Sequence, residues 1–153
     1  DLTGDWSSDV CSSDLYVMKT VYRIENDFGY GMYYAWAKAC EEMFEWGRDS
    51  AMRHPPPKKD SAFGKSLRAK YGTLSSFDEI ICKYKFGFCS KEQLLSWIYK
   101  EEWLVSLHND GFTLSVFFCE DGDVIEGSTQ CAFINPVSSV RHSLKCYFKL
   151  GEE

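Results

Sequence analysis

Val21, Arg23 and Glu25 alternate with Tyr22 and Ile24 in "MKTVYRIEN" (18–26), a two-residue period that predicts an N-terminal strand. "DFGYG" (27–31) then turns the chain. In "MYYAWAKACEEMFEW" (32–46), Met32, Ala35, Trp36, Ala39, Cys40 and Met43 recur at three- and four-residue spacing, leaving Lys38, Glu41, Glu42 and Glu45 for water. This is the pattern of an amphipathic helix, stopped by Gly47. Residues 48–76 carry three consecutive prolines and few large apolar groups, so they read as a long connection with one short helix near 61–70. "KYKFGF" (83–88) predicts a strand that hands over at Ser90 to a helix: Ser90 and Gln93 have capping-box spacing, and Leu94, Leu95 and Ile98 form the apolar stripe. Helical spacing continues through "EEWLVSLHND" to Gly111. "FTLSVFFCE" then reads as a buried strand, "DGD" (121–123) as a turn, and "TQCAFIN" (129–135) and "VRHSLKCYFKL" (140–150) as two further strands. Together these predict an α+β domain with a mixed or split antiparallel sheet and flanking helices. Phe112, Leu114, Val116 and Phe118 are expected on one buried face, under Trp97 and Trp103.

The opening residues do not fit this plan. "DWSSDVCSSDL" (5–15) has neither period, and its codons can be written so that it resembles a common short-read sequencing adapter translated in one frame. Met18 stands where an initiator would, so residues 1–17 are read as a non-native extension and 18–153 as the single domain. The charge picture changes with it. Asp1, Asp5, Asp9 and Asp14 account for four of the 23 acidic residues, while all 17 basic ones lie beyond residue 17, so the formal charge moves from -6 to -2. Such a nearly neutral domain is neither a nucleic-acid scaffold nor an acidic solvating chain. No apolar run approaches the roughly 20 residues of a membrane span. Cys40, Cys82, Cys89, Cys119, Cys131 and Cys146 lack metal-ligand spacing. They predict free thiols in a reducing cytosol, that of a host cell, with no metal site and no disulfide framework.

Three features carry candidate chemistry. Arg23 is a single cation amid the first strand, either solvated at an edge or turned into a cleft where its two-pronged donors would clamp a phosphate. The stretch 53–70 holds Arg53, Lys58, Lys59, Lys65, Arg68 and Lys70 with Asp60 as the only acid, a local positive field that would gather phosphate-bearing partners, nucleic acid among them. Within it His54 abuts "PPP", a stiff segment that would position an imidazole. The third feature is "KFGFCSKEQLLSW" followed by "VIEGSTQCAF", which puts Ser90 at a strand end and Glu126 and Gln130 at the start of a later strand.

An Arg on the first strand, a Ser where a middle strand runs into a helix and an acid or amide on a late strand make an order that resembles the ADP-ribosyltransferase fold. The resemblance implies Arg23 on the phosphates of NAD, with His54, Lys58 and Lys59 beside it. It also implies Ser90 at the nicotinamide ribose and Gln130 or Glu126 at the reactive carbon. The Ser motif is reduced to "FCS", and Gln130 stands where a carboxylate is wanted. An amide can bond a ribose hydroxyl but supplies no negative charge to a developing cation. The series "HPPPKKD", "FGFCSKEQLLSW" and "GSTQCAF" is also similar to small phage and prophage proteins. Two readings stay open: an NAD-using transferase, and a non-catalytic module that holds a nucleotide or a host protein. On either, Arg23→Ala is expected to remove ligand binding and spare the fold.

A segment without an evolved role contributes nothing to a core. Deleting residues 1–17 is expected to change the unfolding free energy by less than about 0.5 kcal/mol in a urea titration; a larger loss would show that the segment is part of the fold.

Overall fold

The computed structural model describes residues 17–32, 40, 60–72, 80 and 82–151. Along the chain lie β1 (Met18–Glu25), α1 (Ser61–Tyr71), β2 (Lys85–Gly87), α2 (Lys91–Trp97), α3 (Glu101–Asn109), β3 (Thr113–Glu120), a 3-10 turn (Asp121–Asp123), β4 (Val124–Glu126), β5 (Cys131–Phe133), β6 (Ser138–Ser143) and α4 (Leu144–Phe148). The strands form two antiparallel three-stranded sheets, ordered β1-β3-β6 and β2-β5-β4. This is the α+β, split-sheet plan that the periodicities predict. Of the helix expected over 32–46, only Met32 and Cys40 fall among the described residues, both buried.

The two sheets meet at a seam. Tyr22 on β1 and Phe88, one residue beyond β2, form an antiparallel bridge in which each amide donates to the other's carbonyl, at 2.7 and 2.8 Å. The backbones come close here because Gly87 has no side chain. A Cβ at that position would lie 2.6 Å from Val21 Cγ1 and 2.7 Å from the Tyr22 carbonyl oxygen.

Alternation then sorts the side chains between layers. In β1 and β3, Ile24, Leu114 and Val116 face one way, into a cluster with Leu94, Trp97, Trp103, Leu104 and Leu107 from α2 and α3. Phe118 packs against the edge of that cluster and Phe112 is buried in it, so the expected face and its two covering tryptophans are present. Val21, Phe117 and Cys119 face the other way and meet Val124, Cys131 and Phe133 from the second sheet. The far side of the second sheet is covered by α1, whose Phe63 and Leu67 pack on Tyr84, Ile125 and Ala132. β3 is thus buried on both faces, which explains its nearly unbroken apolar run.

Two expectations need correction. "VRHSLKCYFKL" is not one strand: β6 ends at Ser143, whose hydroxyl caps α4 by accepting from Cys146 N at 3.4 Å. Leu144, Tyr147 and Phe148 follow at helical spacing and pack on the same cluster, a stripe that competes with the alternation before it. Val124–Glu126, given no element of its own above, is a strand, paired so that Val124 opposes Phe133 and Glu126 opposes Cys131. At the N-terminal end, the Val17 carbonyl accepts from Asp121 N at 2.9 Å, carrying the β1–β3 edge one residue before Met18.

The seam supplies a direct test. Gly87→Ala forces a methyl onto backbone and is expected to destabilise the fold by about 1–3 kcal/mol, read as a lower urea midpoint at an unchanged slope.

Candidate functional site

Arg23 lies on the inner face of β1, opposite Ser115. Its Nε donates to Glu25 Oε2 at 2.8 Å, one terminal nitrogen to the Phe86 carbonyl at 2.6 Å, and the other to the Gly29 carbonyl at 3.2 Å. The other oxygen of Glu25 accepts from Ser115 Oγ at 2.9 Å, and Glu25 is only 7% exposed. With its side chain 13% exposed, the arginine is neither a solvated edge residue nor an open clamp. It joins β1, the 27–31 turn and β2, reinforcing the seam next to Tyr22. A buried pair of this kind holds together because each charge keeps its hydrogen bonds, and removing one partner leaves the other unpaired.

The other candidate residues also have identifiable structural roles. Ser90 is the N-cap of α2: its Oγ accepts from Gln93 N at 3.0 Å, while Gln93 Oε1 accepts from Cys89 N at 2.8 Å. The predicted box forms with the glutamine reaching one residue further back than usual. Glu126 pairs with Lys19 at 3.3 Å, and Asp121 holds the same ammonium at 3.0 Å. Burial opposes the charge on Lys19, but these carboxylates outweigh it and raise the ammonium above its ordinary value. Gln130 is 6% exposed, and its carbonyl accepts from Gly127 N at 2.8 Å to close the 127–130 turn.

That turn is anchored by a residue to which no chemistry is assigned above. Asp60, 4% exposed, caps α1 by accepting from Ala62 N at 3.1 Å. It also accepts from Ser128 N at 2.8 Å and Ser128 Oγ at 2.9 Å. Gly127 makes room for it: a Cβ there would meet Asp60 Oδ2 at 2.6 Å and Phe63 at 2.5 Å. The pairing of "HPPPKKD" with "GSTQ" is therefore, at Asp60 and Ser128, a contact between helix cap and sheet turn. A signal for the cap was available in the Asp directly before helical spacing. His54, Lys58 and Lys59 lie outside the described residues.

A concave site lies elsewhere, between α2, α3 and the C-terminal turn. This open cleft of about 590 Å³ has Leu95, Ile98, Leu104 and Leu150 as its apolar base, and Tyr99, Tyr147 and Phe148 as aromatic walls. Lys91, Lys149 and Glu101 stand at its edge. The Lys91 ammonium lies 5.3 and 5.7 Å from the ring centres of Tyr147 and Phe148, which pack edge to face. Glu101 Oε1 accepts from Gly151 N at 3.1 Å and ties the C-terminal turn to α3. Sequence reasoning missed this site because it placed Tyr147 and Phe148 on a strand, where they would face opposite ways.

The fold and these side chains define a small α+β protein: two antiparallel sheets joined by a buried ionic seam, with an aromatic, lysine-edged cleft at the helical end. A family model described as "Bacteriophage T4 Y00F protein" matches residues 18–146, and the chain belongs to that phage family. No curated protein and no solved structure matches it. No helix among the described residues is long and apolar enough to cross a membrane.

The role of Arg23 can be measured. Arg23→Ala strands the Glu25 carboxylate and is expected to cost about 3–5 kcal/mol of folding stability, in contrast to the intact fold expected from the sequence alone. The double variant R23M/E25Q, which removes both charges, should recover much of that loss in the same denaturation assay.

Proposed function

We propose that this phage-family protein acts by binding, and that the cleft between α2, α3 and the C-terminal turn holds a nucleotide. The observation that carries the reading is the combination lining that cleft: flat aromatic faces on an apolar base, with two ammonium groups at the edge. The rings suit a nucleobase, the lysines suit phosphates, and the volume lies within the range of small-molecule sites. Neither Lys91 nor Lys149 forms an ion pair with a carboxylate among the described residues.

Binding is favoured over NAD-dependent transfer by the occupations of Arg23, Ser90 and Glu126. A phosphate at Arg23 would have to displace Glu25 and two backbone carbonyls. Ser90 Oγ is engaged by the helix it caps, and Glu126 by Lys19.

A thermal-shift series with ATP, AMP and NAD tests this on the full chain. A saturable rise in Tm with at least one adenine nucleotide is expected, by mass action on the folded state. Lys91→Gln combined with Lys149→Gln is expected to weaken binding about tenfold, or ~1.4 kcal/mol. Nicotinamide release from NAD would restore the transferase reading. A flat response to all three nucleotides would overturn the nucleotide cleft and leave a host protein as the alternative ligand.

A further inference from the structure

The outward face of α1 shares no residue with the cleft or with the seam. Phe63 and Leu67 turn inward onto the second sheet, and Ser66 Oγ donates to the Glu126 carbonyl at 3.4 Å, which together fix the rotation of the helix. Lys65, Arg68 and Tyr71, at three-residue spacing, are left on the exposed side. Their stripe covers about 9 Å of helix axis, the length of about two to three stacked nucleotides. Ser61, Ala62, Gly64 and Ala69 surround it, so no bulky neighbour on the helix stands between these side chains and a ligand.

The positive charge on this face is not neutralised from within. α1 contains no acidic residue, and Lys65, Arg68 and Lys70 form no ion pair with a carboxylate among the described residues. Asp60 is the only acid between residues 53 and 70, and it is turned inside: it is 4% exposed, and its carboxylate accepts from Ala62 N and from Ser128. In the neighbouring turn and strand, Asp121 and Glu126 are paired with Lys19 and Asp123 is half-buried. A nearly neutral domain thus concentrates cations on one helix face, where they act as a local field.

Tyr71 closes the stripe with a ring that is 40% exposed. Its hydroxyl meets that of Tyr84, which is buried with Phe63 and Leu67, so the ring is tethered to the core. The Lys70 ammonium lies 5.6 Å from its centre and donates to the Gly122 carbonyl. A tethered, exposed ring beside a row of cations has the make-up of a surface on which an unpaired base stacks while its phosphates meet the charges.

We propose that this face of α1 binds single-stranded nucleic acid, with Lys65 and Arg68 on the phosphates and Tyr71 against a base. A duplex keeps its bases paired and offers the ring none of them, and an acidic protein segment would use the charges alone. A single strand uses both features.

Fluorescence anisotropy of a labelled oligothymidylate with the full chain, between about 50 and 200 mM NaCl, tests the assignment. Binding is expected to weaken as salt rises. Lys65→Gln combined with Arg68→Gln is expected to flatten the slope of log K against log salt by about 1.4, the contribution of two phosphate contacts on a single strand, at an unchanged urea midpoint. Lys100→Gln combined with Lys145→Gln, which removes the same charge at α3 and α4, should leave the slope as it is. Tyr71→Ala should weaken binding about tenfold, whereas Tyr71→Phe, which keeps the ring, should not. Lys91 and Lys149 are intact in every variant, so these results do not depend on the nucleotide cleft. Absence of binding at the lower salt would overturn the proposal. So would a slope that Lys65 and Arg68 do not change, or tighter binding of a labelled duplex than of the single strand.

Discussion

The reciprocal hydrogen bonds between Tyr22 and Phe88 are the constraint on which the rest of the structure depends, because they bring the backbones of two small sheets together. A three-stranded sheet with strands as short as β2, β4 and β5 cannot shield both its faces. Joined at the seam, the second sheet shares Val21, Phe117 and Cys119 with the first and buries Val124, Cys131 and Phe133 against them. Gly87 permits the approach. Arg23 reinforces it from the adjacent position, reaching across to the Phe86 carbonyl while Glu25 and Ser115 keep its charge satisfied. A charge within a strand is expensive to bury, so its presence there marks a junction whose backbone groups need a donor.

The helices follow from this arrangement. α2 and α3 cover the outer face of the first sheet and α1 covers that of the second, so each sheet has a helical layer on one side and the other sheet on its inner side. Asp60 locks the second layer in place, since one carboxylate satisfies the first turn of α1 and the turn between β4 and β5 together. Polar residues quoted in the three family-like motifs thus include several that hold the architecture: Ser90 at a cap, and Asp60 and Ser128 at a helix–turn contact.

The cleft at the helical end arises where an element ends: α4 places Tyr147 and Phe148 beside Lys91. It is lined by none of the residues of the ionic seam.

Much of the fold was legible in the sequence because alternation and helical spacing are local. β1, α1, β3, the Ser90 cap and the burial of Leu114 and Val116 beneath Trp97 and Trp103 all follow from side-chain periods of two or three to four. β4 was not legible, since three residues are too few to show a period, and α4 was obscured by the alternation leading into it. The destination of the polar side chains was a different kind of question. A strand arginine beside a glutamate has the same local pattern whether it faces water, a phosphate or its own chain. Only the approach of β2 to β1, across some 60 intervening residues, decided that the Phe86 carbonyl would take one of its donors. Gly87 and Cys131 likewise have no visible relation in sequence. Antiparallel pairing of β2 with β5 made them neighbours, because register brings together residues whose separation along the chain carries no information about it.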